Sequence, residues 1–240
     1  ALVEDSTASY VTFFKKDGSS LDWGIKTIMS SNGYIMDVSL SPSGTQVMIS
    51  SVYVQGGMLK NRIVFYNFSE YGKSYSDRLV GGFEEFNDCI TPRVRFLDEE
   101  HACIFADGQL GFFLLENVTS PELAIQIPEV GVLPSGGYTE VYEAGISDHP
   151  DGEYDSKLDL YSAAGELIFS REFTYPWQNI EINRDFIILY NDRSCRIYST
   201  AGKERFSGEF DFTVSMITRG RAANSLIITG GDRMREIRLK

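Results

Sequence analysis

The feature that most constrains this chain is that it repeats itself. Residues 161–173, Tyr-Ser-Ala-Ala-Gly-Glu-Leu-Ile-Phe-Ser-Arg-Glu-Phe, match residues 198–210 at eight of thirteen positions, 37 residues further on. A weaker copy runs from Phe14 through Gly18 to Leu21 and Trp23, and another from Tyr66 to Gly72 carries a turn two residues longer. Each copy reads as a strand ending in an aromatic, a polar turn closed by a glycine that takes positive φ at little cost, and a returning strand. One such hairpin cannot bury its own apolar face, so the copies must pack on one another.

Further pairs of β-rich runs precede the hairpins: Tyr34 to Leu40 with Gln46 to Val54, Val94 to Leu97 with Ala102 to Phe105, Ile180 to Ile182 with Phe186 to Tyr190, and Val214 to Ile217 with Ser225 to Thr229. The unit is therefore a meander of four strands. Hairpin strands centred on Phe13, Phe65, Phe113, Asp159, Ile197 and Ile237 lie 38 to 52 residues apart, near the spacing of β-propeller blades. No window sustains helical apolar spacing, whereas Val, Ile, Phe and Tyr alternate with polar residues throughout. Breaks fall at Ser41-Pro42-Ser43-Gly44, Gly56-Gly57, Thr91-Pro92, Pro134-Ser135-Gly136-Gly137 and His149-Pro150-Asp151-Gly152.

These patterns predict an all-β, β-propeller-like chain of about five or six four-stranded antiparallel blades, forming one domain over residues 1–240. The first hairpin has no preceding pair and the last triplet no clear fourth strand. Adjacent termini are therefore expected, closing a ring by combining strands from both ends. The alternative is an incomplete ring that a longer protein completes.

The run Val38-Ser-Leu-Ser-Pro-Ser-Gly-Thr-Gln-Val-Met-Ile49 resembles the strand, Ser-Pro-Asp-Gly turn, strand signature of TolB-type and WD-repeat-like propellers, with Ser43 in place of the aspartate. Phe96-Leu97-Asp98-Glu99-Glu100 and Ile182-Asn183-Arg184-Asp185 occupy the same turn without the motif, and Trp-Asp dipeptides are absent. In texture the chain also resembles the extracytoplasmic part of clostridial membrane-anchored propeller proteins of unknown function. That resemblance implies an extracytoplasmic location, tethered by an N-terminal segment absent here; the alternative is cytoplasmic. A start at Ala1 rather than methionine fits a processed or excised segment.

Composition limits the partners. A formal charge of -12 argues against nucleic acid, which needs clustered cations on a basic face. No stretch nears the roughly 18 apolar residues that span a bilayer, so no direct membrane insertion of this segment is expected. The acidity is uneven: Arg219, Arg221, Arg233, Arg235, Arg238 and Lys240 face only Asp232 and Glu236 near the C-terminus. Those arginines read either as a weak ligand-binding candidate or as solvated positions that discourage edge pairing.

Three cysteines, Cys89, Cys103 and Cys195, show neither metal-ligand spacing nor neighbouring histidines, and Cys103 sits in an apolar run that predicts burial. The two histidines are His101, read as an exposed turn residue, and His149. No G-x-S-x-G elbow, P-loop, G-x-G-x-x-G or H-E-x-x-H occurs. No catalytic residue and no cofactor are therefore assigned.

Asp148, Asp151, Glu153 and Asp155 form the densest run of hard oxygen ligands and are a weak metal candidate for calcium, although their spacing does not fit an EF-hand loop. The plainer reading is a solvated turn. Tyr175 and Trp177, within Phe173-Thr-Tyr-Pro-Trp, could form a binding platform or pack a blade-to-blade connection.

The function expected from these residues is a non-catalytic recognition or scaffold module at the cell surface. It would be monomeric, with an unknown protein or glycan as partner. The alternatives are a carboxylate-based carbohydrate-active enzyme or a structural part of a longer propeller.

Overall fold

A computed structural model describes residues 2–4, 7–28, 33–69, 78–86, 89–115, 121–128, 135–138, 142–148, 156–183, 185–222 and 224–239. Among the described residues every strand falls into one of six antiparallel sheets, and the chain divides into two compact units, 1–129 and 130–240.

In the first unit the opening sheet has three strands, β1 (Leu2–Glu4), β2 (Ala8–Phe14) and β3 (Ser20–Ile28). The second has four, β4 (Tyr34–Leu40), β5 (Gln46–Gln55), β6 (Met58–Asn67) and β7 (Leu79–Phe83). The third is β8 (Arg93–Phe96), β9 (His101–Ala106), β10 (Gln109–Leu114) and β11 (Glu122–Pro128).

In the second unit the fourth sheet is β12 (Ser135–Tyr138), β13 (Tyr142–Asp148), β14 (Ser156–Ser162) and β15 (Leu167–Phe173). The fifth is β16 (Asn179–Ile182), β17 (Phe186–Tyr190), β18 (Ser194–Ser199) and β19 (Glu204–Glu209). The last holds three strands, β20 (Val214–Arg219), β21 (Ser225–Gly230) and β22 (Met234–Arg238). Each sheet is a meander of consecutive strands. Among the described residues no sheet combines strands from both ends of the chain, which replaces the expected shared closing blade with two separate three-stranded sheets.

The sequence repeat is a structural repeat down to its hydrogen bonds. At the β14–β15 turn the Ser162 N–H donates to Glu166 O at 2.9 Å, and the Gly165 N–H donates to Ser162 O at 3.0 Å. At the β18–β19 turn Ser199 donates to Lys203 O at 2.8 Å and Gly202 to Ser199 O at 2.8 Å. In both, the serine Oγ accepts a further N–H at 3.2 Å, from Glu166 and Lys203 respectively. Gly165 and Gly202 sit at φ 81° and 77°, the left-handed region that a Cβ disfavours.

The turn after β2 replaces that serine with Lys15, and the Asp17 carboxylate takes over by accepting the Ser19 N–H at 2.9 Å and its hydroxyl at 2.6 Å. Beyond the turns the ladders slip at equivalent places. Val80, Ala124, Ile168 and Arg205 on the fourth strands are the extra residues of bulges opposite the aromatics that end the third strands.

The core lies between successive sheets. On β5 and β6, Met48, Ile63 and Phe65 turn to the cluster shared with the third sheet, and Val47, Ile49, Val64 and Tyr66 turn to the cluster shared with the first. A strand buried on both faces in this way reads as a continuous apolar run rather than an alternation. Phe65 meets Phe83 edge-on at 5.8 Å and Phe113 at 5.2 Å, the packing that aromatic quadrupoles favour. In the second unit equivalent clusters join the fourth sheet to the fifth through Leu158, Leu160 and Ile187, and the fifth to the last through Ile188, Ile197 and Leu226.

Two sequence expectations change and one holds. Pro134-Ser-Gly-Gly137 reads as punctuation, yet residues 135–138 form β12, whose partner strand β13 pairs Gly136 with Gly145 and Gly137 with Ala144. As expected, no pair of strands precedes the N-terminal hairpin among the described residues; a single strand does, β1, pairing Leu2 with Val11. His101 is half-buried at the start of β9, where Asp98 holds its Nδ1 at 2.9 Å, so it is not simply solvated.

Candidate functional site

A concave apolar feature of the first unit lies between β2 and β4. It is a groove of about 410 Å³ lined by Val11, Thr12, Phe13 and Phe14 on β2 and by Met36, Asp37, Val38 and Leu40 on β4. Three of these apolar side chains remain open to solvent, Phe14 at 55%, Met36 at 38% and Leu40 at 49%. The β4–β5 ladder slips between Ile35 and Asp37, so Met36 is a bulge residue, and bulges re-aim side chains.

Alternation then separates the two faces of β4. Asp37 and Ser39 turn toward β8, an edge strand of the next sheet. There the Val94 N–H donates to Asp37 Oδ2 at 2.9 Å and the Phe96 N–H to Ser39 Oγ at 2.9 Å. The Arg95 guanidinium also pairs with Asp37. Side chains thus satisfy the edge N–H groups that a sheet otherwise presents to any passing strand.

The neighbouring turns are linked as well. Ser43 Oγ donates to Glu99 Oε2 at 2.9 Å, and Gln46 Nε2 donates to Glu99 O at 3.0 Å. The Ser-Pro-Ser-Gly turn and the Asp-Glu-Glu turn, which the sequence places at equivalent blade positions, therefore touch.

A second concavity of about 310 Å³ opens on the second sheet and includes Ile49, Ser51, Arg62, Val64, Tyr66 and Glu84. Arg62 reaches Glu84 Oε1 at 2.6 Å and lies over the Tyr53 ring at 4.8 Å. That pairing holds the Glu84 carboxyl below the usual carboxylate range, while burial pushes the Tyr66 hydroxyl up.

The residues singled out in the sequence are dispersed. Tyr175 is buried, with its hydroxyl 2.9 Å from Ser194 Oγ and Arg196 over its ring at 5.0 Å. Burial raises its hydroxyl pKa. Trp177 packs on the core between the fourth and fifth sheets and donates Nε1–H to Ser156 Oγ at 3.2 Å.

Arg219 lies 3.5 Å from Asp185, Arg233 is 3.9 Å from Asp232, and Arg235 is 3.1 Å from Asp211 and over Phe212 at 5.4 Å. Arg221 is exposed. The C-terminal arginines thus stand mostly beside carboxylates rather than converging on one point.

Asp151, Glu153 and Asp155 lie outside the described residues, as does the side chain of Asp148 at the end of β13. Among the described residues no group of three or more His, Cys, Asp or Glu side chains is placed to hold a metal ion. Cys89, Cys103 and Cys195 are thiols rather than disulfides, and burial pushes the Cys195 thiol up to about 12. His149 is outside the described residues.

A sequence model of a family described as of unknown function (DUF5711) matches residues 1–239. No curated protein matches the chain. Among solved structures it is similar to the WD40 domain of Pan2 from Neurospora crassa, at 8% identity and a TM-score of 0.57, over 95% of this chain and 68% of that one. It is also similar to Sqt1 from Chaetomium thermophilum, at 8% identity and a TM-score of 0.59, over 86% of this chain and 57% of that one. The chain therefore spans little more than half the length of the second structure. At such identity the likeness shows the fold alone: the sheets are blades of the WD40 β-propeller kind.

Proposed function

The chain belongs to DUF5711, a family of unknown function, and from that premise we propose that it is a non-catalytic recognition or scaffold module whose blades present a binding surface to a protein partner. The observation that carries this reading is the groove between β2 and β4, where Phe14, Met36 and Leu40 are left in solvent. Apolar side chains gathered in a concave surface are the usual mark of a binding site. Similarity to a WD40 domain supports a scaffold role.

Display outside the cell belongs to the same proposal and rests on the resemblance to membrane-anchored propeller proteins. Recovery of the protein with the envelope fraction of native cells is the expected outcome.

The module reading is tested by thermal unfolding in the presence of peptides, glycan fragments, simple sugars and calcium, because a ligand that binds only the folded state raises its apparent stability. Peptides are expected to raise the midpoint. A shift with sugars accompanied by their hydrolysis would instead favour a carbohydrate-active enzyme.

A further inference from the structure

The second sheet carries an extension that the other blades lack. β5 and β6 hold ten residues each, whereas the second and third strands of the other four-stranded sheets hold five to seven. β4 meets β5 only as far as Val52, and β7 meets β6 only from Ile63. Among the described residues the ribbon 53–60 has no ladder except its own. Tyr53, Val54 and Gln55, at about 3.3 Å per residue, carry its tip about 10 Å past the last lateral pair. Gly56 and Gly57 close the ribbon at φ 61° and 80°, the two positive values of a tight turn whose twist matches that of the strands.

The tip is apolar on its surface. Val54 is 70% exposed, Met58 61% and Leu59 49%, so the core uses none of them. In a hairpin closed by two residues the flanking pair, Gln55 and Met58, exchanges hydrogen bonds, and the next pair, Val54 and Leu59, turns its N–H and C=O groups outward. Leu59 therefore offers a main-chain donor and acceptor on the outer edge of β6, beside an exposed apolar side chain. The ribbon also differs in charge from the rest of the chain. Of 34 acidic residues none lies between Asp37 and Glu70, and Lys60 is the one charged residue of 53–60. Glu84, at the base of the ribbon, is already held by Arg62. Exposed charges more than about 8–10 Å away are largely screened at physiological salt, so a segment lying on the tip meets Lys60 rather than the acidic body.

We propose that this hairpin docks an extended, acidic segment of a partner protein as an added strand on the outer edge of β6. The segment pairs its main chain with Leu59, lays an apolar side chain against Leu59 and Val54 on one face, and sets a carboxylate beside Lys60 on the other. The inference deepens the recognition reading and rests on it, adding a second contact surface to the groove.

The test selects peptides from a random dodecapeptide library on the intact chain and measures their binding by fluorescence anisotropy. The selected peptides are expected to alternate apolar residues with Asp or Glu, and to lose binding when proline, which cannot donate to a ladder, replaces a central residue. Leu59→Asp and Lys60→Glu are each expected to weaken binding at least about tenfold, a change readily resolved by titration. Leu167→Asp, at an exposed position in the second unit, should leave binding unchanged. These side chains lie outside the core, and unaltered thermal midpoints will show that the variants fold. Failure to select any peptide, selection of peptides without the acids or the alternation, or binding indifferent to Leu59→Asp and Lys60→Glu overturns the proposal. Peptides that instead lose binding in Leu40→Asp, within the groove, would sink the hairpin while leaving the recognition reading standing. Binding of the chain to phosphatidylcholine and phosphatidylglycerol vesicles, or dimerisation in sedimentation, that Leu59→Asp abolishes would give the tip to a lipid surface or to a second copy and overturn the proposal likewise.

Discussion

Gly18 and Gly202 hold the same backbone conformation, φ 85° and 77°, but in different surroundings. A Cβ at Gly18 would meet nothing within 4 Å, whereas one at Gly202 would come within 3.0 Å of the Phe169 ring. Gly18→Ala is therefore expected to cost about 1–2 kcal/mol, the backbone penalty alone, and Gly202→Ala more, because the ring must also give way. Urea unfolding of the two variants side by side checks both the cost and the order. Such glycines were legible in the sequence because a polar turn between two β-rich runs leaves glycine a narrow role. The packing of Tyr175 in a blade-to-blade connection was legible too, but its hydroxyl partner was not: Ser194 lies 19 residues on, and a contact between a connecting segment and a strand leaves no local pattern.

Strands were legible wherever turn residues bracket an apolar run. The runs Tyr34 to Leu40 and Phe186 to Tyr190 are β4 and β17 to the residue, and all six hairpin centres fall on the third strands of the sheets, or on β2 and β22 in the two short ones. β12 escaped because its glycines pair within a ladder and carry no side-chain alternation. The groove escaped for a deeper reason. Only the apposition of β2 and β4, strands of separate ladders, creates it. The polar face of β4 is equally a product of apposition. Ser39→Ala removes the acceptor of the Phe96 N–H, and an orphaned buried donor is expected to cost about 1–3 kcal/mol. Urea unfolding measures the loss, and Ser39→Thr, which keeps the hydroxyl, should recover most of it.

At the scale of the molecule, each compact unit holds one deeply buried thiol, Cys103 in the first and Cys195 in the second. Because the thiolate is the reactive form and the Cys195 thiol is pushed up to about 12, a maleimide at neutral pH should label the half-buried Cys89 first. Cys103 and Cys195 should react only as denaturant opens their units. Mass spectrometry of digested samples across a urea series reads each site separately, and coincident labelling of Cys103 and Cys195 would mean that the two units melt together. Rapid labelling of Cys195 in the native chain would contradict its burial. The meander order has a consequence for biosynthesis. Because every sheet uses consecutive strands, its ladder contacts are local in the chain, and local contacts form quickly. A ribosome releasing residues at roughly 5–20 per second therefore delivers each sheet complete before the next begins. The second sheet, from Tyr34 to Phe83, can close its ladders without any strand of the third.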